Sequence, residues 1–224
     1  MKKQHLILLL ASIVGLFSAI AFFMEWIYLV RVTRLLFPCL IYGYYYYTIK
    51  KVQLAPTLIF ILFWLTDYYS LRLKDDLIVL LILGICSYSI LLFHGLIDMV
   101  KFQLTLANVL SFVIILLFIV FFCLSVIDLA MIELETFKVY VIPYGIVLSI
   151  NALIATYNLN FRNRSHDLFF FFCATSFIFT DVTYLIIEFY YKFKLMIIMN
   201  FTLQLFAYYF VARYFISREL HFLK

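Results

Sequence analysis

The chain has 224 residues, of which 67% are hydrophobic and 13% charged, with a mean hydropathy of +1.11 and a formal net charge of +5. That balance excludes a water-soluble domain. The basic excess is not a nucleic-acid footprint either, because Lys and Arg sit in short connections between apolar runs, where they set membrane topology. Four cysteines (Cys39, Cys86, Cys123 and Cys173) each fall inside an apolar run without C-x-x-C spacing, which predicts structural thiols rather than a disulfide or metal framework.

The opening run, MKKQHLILLLASIVGLFSAIA, has the outline of a signal peptide. In a chain built of spans it is expected to remain as the first helix. About 20 apolar residues suffice to cross a bilayer, and runs of that length predict eight helices over 6–24, 32–49, 55–73, 77–98, 104–127, 137–157, 167–191 and 196–216. Connections are short and without Ser/Gly linkers, so residues 1–224 are expected to form one all-α domain, a polytopic integral membrane bundle of eight transmembrane helices. Glu25, Trp26, Arg31 and Arg34 fall to the first connection. Lys50 and Lys51 fall to the second, after a tyrosine cluster, Tyr44–Tyr47, read as an interfacial belt. Counting Lys and Arg gives ten on the side of the termini against seven opposite, which places both termini in the cytoplasm. The expected location is a bacterial inner (cytoplasmic) membrane.

Two carboxylates lie far from any predicted helix end. Asp67 follows Thr66 in the third predicted span and Asp181 follows Thr180 in the seventh, both in the pattern T-D-x-x-x-L. An ionisable group at such depth costs roughly 2.5–3.5 kcal/mol even on a lenient scale, and normally faces a bundle interior or a wet cavity. At 1.5 Å per residue, Asp67 lies about 16 Å past Pro56 and Asp181 about 20 Å past Leu168, so the two share a level. The eighth predicted span runs the other way and carries Asn200, Gln204 and Tyr208 as one polar stripe at i, i+4 and i+8. Polar groups from three helices are thus predicted to converge on one chamber where the two aspartates meet. Two carboxylates in a dry site cannot both ionise cheaply, so one is expected to hold a proton beside its ionised partner, as acid–base hydrolysis requires. The bland alternative is that both aspartates only bond neighbouring hydroxyls and pin helix packing. Pro38 and Pro143, 105 residues apart, and the T-D motifs, 114 apart, suggest a parallel four-plus-four repeat.

Around this pair, Thr66, Thr180, Tyr184 and Tyr144 are candidate substrate contacts. His94, near the cytoplasmic end of the fourth predicted span, would either line the site about 7–10 Å below Asp67 or meet headgroups at the helix end. Asp98 and Lys101 are expected to form an interfacial pair, and Glu188 to lie at the mouth or at a solvated helix end. The remaining histidines (His5, His166 and His221) fall at or beyond predicted helix ends, so no metal centre is expected. A glycine-rich phosphate loop, a G-x-S-x-G elbow and an H-E-x-x-H motif are all missing from the sequence.

Taken together, Thr66-Asp67, Phe179-Thr180-Asp181, the basic-then-proline segment Arg31 to Pro38 and Gln204 resemble the lysoplasmalogenase-like (YhhN-type) family of eight-helix membrane proteins. The resemblance implies cleavage of the vinyl ether bond of a lysoplasmalogen to a fatty aldehyde and a glycerophospho-headgroup. Asp67 and Asp181 would be the catalytic pair, Gln204 and Asn200 would orient substrate or water, and no cofactor would be needed. Expected partners are a lysophospholipid substrate and membrane lipids, with no nucleic acid. The same buried carboxylates would also serve a proton-coupled carrier or a non-catalytic lipid-binding protein.

Overall fold

The computed structural model describes residues 3–72, 77–99, 138–162, 164–189 and 193–222, with short helical pieces at 109–110, 113–114 and 116–117. It is helical, and seven described helices are long and apolar enough to cross a membrane. They are α1 (Lys3–Phe23), α2 (Ile27–Ile49), α3 (Leu54–Arg72), α4 (Leu77–Asp98), α5 (Lys138–Arg162), α6 (Ser165–Phe189) and α7 (Lys194–Phe222). The span predicted over 104–127 lies outside the described residues apart from those pieces, as do Cys123, Lys101 and the Glu188 side chain. Consecutive helices pack on one another, and α7 closes the ring against α1 and α2.

The exterior and interior are distributed as a bilayer demands. Leucine, isoleucine and phenylalanine side chains crowd the outside, while Asp67, Ser87, Asn151, Asn158 and Thr33 are buried. In hydrocarbon, apolar side chains gain nothing by turning inward, so close packing of small residues and interhelical hydrogen bonds hold helices together. The α1 interface shows both devices. Its buried face reads Ala11, Gly15, Ser18, Ala21. A Cβ on Gly15 would stand 3.0 Å from Leu205 of α7 and 3.3 Å from Phe37 of α2. One turn on, Thr33 donates to Ser18 at 2.8 Å, joining α2 to α1.

The pairing of α4 with α5 is in register and parallel. Asn151 donates to the Tyr88 carbonyl at 2.9 Å and Asn158 to the Gly95 carbonyl at 3.2 Å. Seven residues separate both the donors and the acceptors, two turns of each helix, so the amides repeat along one seam. Arg162 ends the seam by bonding the Asp98 carbonyl. Gly84 and Gly95 give this face its depth. A Cβ on Gly84 would overlap the Tyr144 ring, and one on Gly95 would stand 2.7 Å from the Phe170 ring.

One feature of the connections differs from the sequence reading. Tyr46 and Tyr47 are exposed as a belt requires, but Tyr44 and Tyr45 point into the core, where Tyr45 donates to Gln53 at 2.8 Å and Tyr44 accepts from Arg213 at 3.1 Å. A run of four residues covers a full helical turn, so one run cannot face lipid throughout. Asp98 is bound by Arg218 at 2.9 Å and by the Tyr214 hydroxyl at 2.6 Å, both from α7, while its expected partner Lys101 lies outside the described residues.

Candidate active site

Asp67 lies two-thirds of the way along α3 with none of its surface exposed. Arg34 Nε donates to its Oδ1 at 2.8 Å, Gln204 Nε2 donates to the same oxygen at 2.9 Å, and Tyr208 Oη donates to Oδ2 at 3.0 Å. Arg34 Nη2 also donates to Gln204 Oε1 at 3.0 Å, so the amide is held at both ends and its orientation is determined. These four side chains link α2, α3 and α7. A carboxylate removed from water needs this many partners, since an ion pair in a low-dielectric interior is favourable only when its remaining lone pairs are also bonded.

Arg34 is the functional residue that sequence reasoning assigned elsewhere. The sequence reading counts it with the charges of the first connection, although position 34 falls just inside the span expected over 32–49. The helix begins at Ile27 instead, which puts Arg34 two turns inside it. The apolar run Ile27–Val30 just before Arg31 is the signal that extends the span upstream.

Asp181, on α6, has a different environment. Tyr88 Oη donates to its Oδ2 at 3.0 Å, and Tyr144 Oη donates to Tyr88 Oη at 3.3 Å. No hydrogen bond or ion pair joins Asp181 to a basic side chain among the described residues. The carboxylate is only partly covered and lines a cavity of about 150 Å³. Arg34, Gln204 and Tyr208 line the same cavity, whereas Asp67 lies behind them and is not part of its wall. The expected direct meeting of the two aspartates is replaced by a relay of rings. Tyr208 stacks on Phe63 at 4.6 Å between centroids, Phe63 meets Phe177 at 5.4 Å, and Phe177 meets Tyr88 at 4.8 Å. The hydroxyl at one end of that relay serves Asp67 and the hydroxyl at the other serves Asp181. The two T-D motifs therefore have unlike partners, an arginine for one and tyrosines for the other.

Of the other candidates, Thr66, Thr180, Tyr184, Tyr144, Asn200 and Gln204 all line the cavity. The Thr66 and Thr180 hydroxyls are donated to carbonyls one turn back, at 2.9 and 2.8 Å, leaving only acceptor capacity toward the chamber. Asn200 gives its amide hydrogens to Thr180 O and Thr183 Oγ1, which turns its carbonyl oxygen free for a ligand. His94 is not at the cavity. Ten residues beyond Gly84 on α4, it lies about 15 Å further along the axis, packed edge-on against Phe215 at 5.3 Å. Tyr88 had no sequence assignment, although Ser87-Tyr88 in the middle of an apolar span has the same polar-in-hydrocarbon signature as the aspartates.

Compared with models of protein families, with curated proteins and with solved structures, the chain matches none.

Proposed function

We propose that this chain is a membrane hydrolase that cleaves the vinyl ether bond of lysoplasmalogen-type lipids, with Asp181 as its catalytic acid. The observation that carries this reading is the difference between the two aspartates. One is locked into an arginine, glutamine and tyrosine cluster with no open surface, and the other presents a hydroxyl-bonded carboxyl group to a cavity at membrane depth. Only the second is positioned to touch a substrate. A vinyl ether reacts by protonation of its β-carbon. The Asp181 proton goes to that carbon, the π pair forms the new C–H bond, and the ether oxygen stabilises the resulting cation. Water adds to the cation and returns a proton to the Asp181 carboxylate. The hemiacetal then collapses to aldehyde and the alcohol of the headgroup, so one carboxyl group closes the cycle. General acid catalysis of this kind contributes typically 10²–10⁴-fold.

In this scheme Asp67 is a positioning residue. It fixes Gln204 and Tyr208, whose side chains face the cavity, and Gln204 with the Asn200 carbonyl orients the attacking water. The Tyr88–Tyr144 hydroxyl chain holds Asp181 in place and connects it to the rest of the polar wall.

An eight-span topology belongs to the same proposal. Helices α4 and α5 run in the same sense along the repeated amide seam, which favours one further crossing between them. The apolar run over 104–127 has the length for that crossing.

The test is incubation of the purified protein with vinyl-ether and ester lysolipids, following fatty aldehyde against fatty acid. Aldehyde release that Asp181→Asn abolishes is the expected result. Absence of aldehyde from the wild-type protein across choline and ethanolamine headgroups would remove the proposal.

A further inference from the structure

The mechanism above uses Arg34 only to hold Asp67, yet the guanidinium has a nitrogen left over. Nε is taken by Asp67 and Nη2 by Gln204, while Nη1 has no hydrogen-bond acceptor among the described residues. The side chain keeps 22% of its surface exposed, and Arg34 is part of the cavity wall. It is the one basic side chain there among the described residues. A guanidinium presents its donors in a rigid planar fork, so engagement of two nitrogens determines where the third points. A donor held this way loses little freedom when it takes a ligand.

The rest of the wall is poor in donors. Thr66 gives its hydroxyl hydrogen to the Leu62 carbonyl and Ser70 gives its own to the Asp67 carbonyl, at 2.9 and 3.1 Å. Asn200 spends both amide hydrogens on α6. Arg34 Nη1 is therefore the place where a negatively charged oxygen entering the cavity is met by a charged donor. Arginine suits phosphate in particular, through hydrogen bonds that are stronger than those between neutral groups.

We infer that Arg34 is the recognition point for the phosphate of an amphiphilic phosphate ester whose apolar chain continues into the membrane. This deepens the hydrolase reading by naming the group that orients the substrate, and it rests on that reading only for the identity of the site. The small cavity has room for a headgroup or a reacting bond, not for a whole lipid, so the chain must extend beyond it. The exposed apolar flanks of the neighbouring helices provide for that.

Binding rather than turnover tests it, so a failure here is distinguishable from a failure of the hydrolase assignment. Purified protein in dodecyl maltoside is titrated with dodecyl phosphate, dodecanol, dodecyltrimethylammonium and inorganic phosphate, with calorimetry and native mass spectrometry as readouts. Dodecyl phosphate is expected to bind at least about tenfold more tightly than dodecanol or the ammonium amphiphile, in line with a charge-assisted hydrogen bond. Inorganic phosphate binding as tightly as dodecyl phosphate would identify the free anion, not the lipid, as the ligand and overturn the amphiphile claim.

Arg34→Gln alone strands the Asp67 charge and is expected to be strongly destabilised, so its binding is not compared. The double variant Arg34→Gln with Asp67→Asn removes both charges together and keeps hydrogen-bonding shapes. It should stay folded and lose the preference for dodecyl phosphate over dodecanol. Arg34→Lys keeps the charge but has no third fork position, and should fall between. Equal binding of dodecyl phosphate and dodecanol by the wild type, or an undiminished preference in the folded double variant, would overturn the inference.

Discussion

Arg34 and Asp67, 33 residues apart and on adjacent helices, meet at 2.8 Å with the carboxylate wholly shielded from solvent. The pair decides how the polar interior is divided. Arg34 pairs with Asp67 behind the cavity wall, so that among the described residues Asp181 is the acid that faces the cavity.

Breaking that pair from one side leaves a buried charge without a partner, which costs roughly 3–5 kcal/mol. Arg34→Gln and Asp67→Asn are each expected to lower the thermal midpoint in detergent sharply. Combined, they should recover most of the loss. Strict additivity of the two losses in a double-mutant cycle would show that the side chains do not interact in the membrane protein.

Asp181 carries no comparable structural burden. Asp181→Asn keeps an acceptor for Tyr88 and is expected to change stability by less than about 1 kcal/mol, while aldehyde release falls at least about 10²-fold. Tyr88→Phe removes only the orienting hydroxyl, so a smaller drop in rate is expected. Parallel melting curves and aldehyde assays separate the two effects, and an Asp181→Asn protein that melts early without losing specific activity would reverse their assignment.

The glycines of α4 and α5 offer a packing test with an internal control. A methyl group at Gly95 would overlap Phe170, and one at Gly84 would overlap Tyr144. Overpacking of this kind costs roughly 1–3 kcal/mol. Gly95→Ala should therefore destabilise, and Gly84→Ala should in addition slow turnover by displacing the Tyr144 ring from Tyr88. Gly145 has no atom within 4 Å of the corresponding position. Gly145→Ala is expected to be neutral or to stabilise by up to about 1 kcal/mol through helix propensity.

Glu25, in the turn between α1 and α2, pairs with Lys194 at the start of α7. The hydrogen bond and positive charge of Lys194 hold its carboxyl below the usual carboxylate range. A depressed value means that any stability from the pair is present above the unfolded-state value and lost as pH falls through the folded one. Both side chains are well exposed, so the contribution is small and screened by salt. The midpoint difference between wild type and Glu25→Gln should shrink on acidification and in 1 M NaCl. A difference that persists under both conditions would point to the turn backbone, where Glu25 has φ 62°, rather than to its charge.

Hydrophobic run length alone was enough to locate the described spans, because a bilayer sets a minimum that few other structures meet. The same logic exposed Asp67, Asp181, Asn200 and Gln204, since polar groups inside such runs are costly enough to mark an interior. What composition and spacing left open was pairing. Arg34 looked like a topology charge until the upstream turn of α2 brought it inside the bundle, and Tyr88 carried no distinction until α4 packed against α6. His94 shows the reverse, a chemically suggestive residue that the helical rise carries away from the cavity. Helix existence is a one-dimensional property of the chain. Which acid is neutralised and which is left facing a ligand depends on helix rotation and on contacts between residues tens or hundreds of positions apart, and those are settled only when the bundle closes.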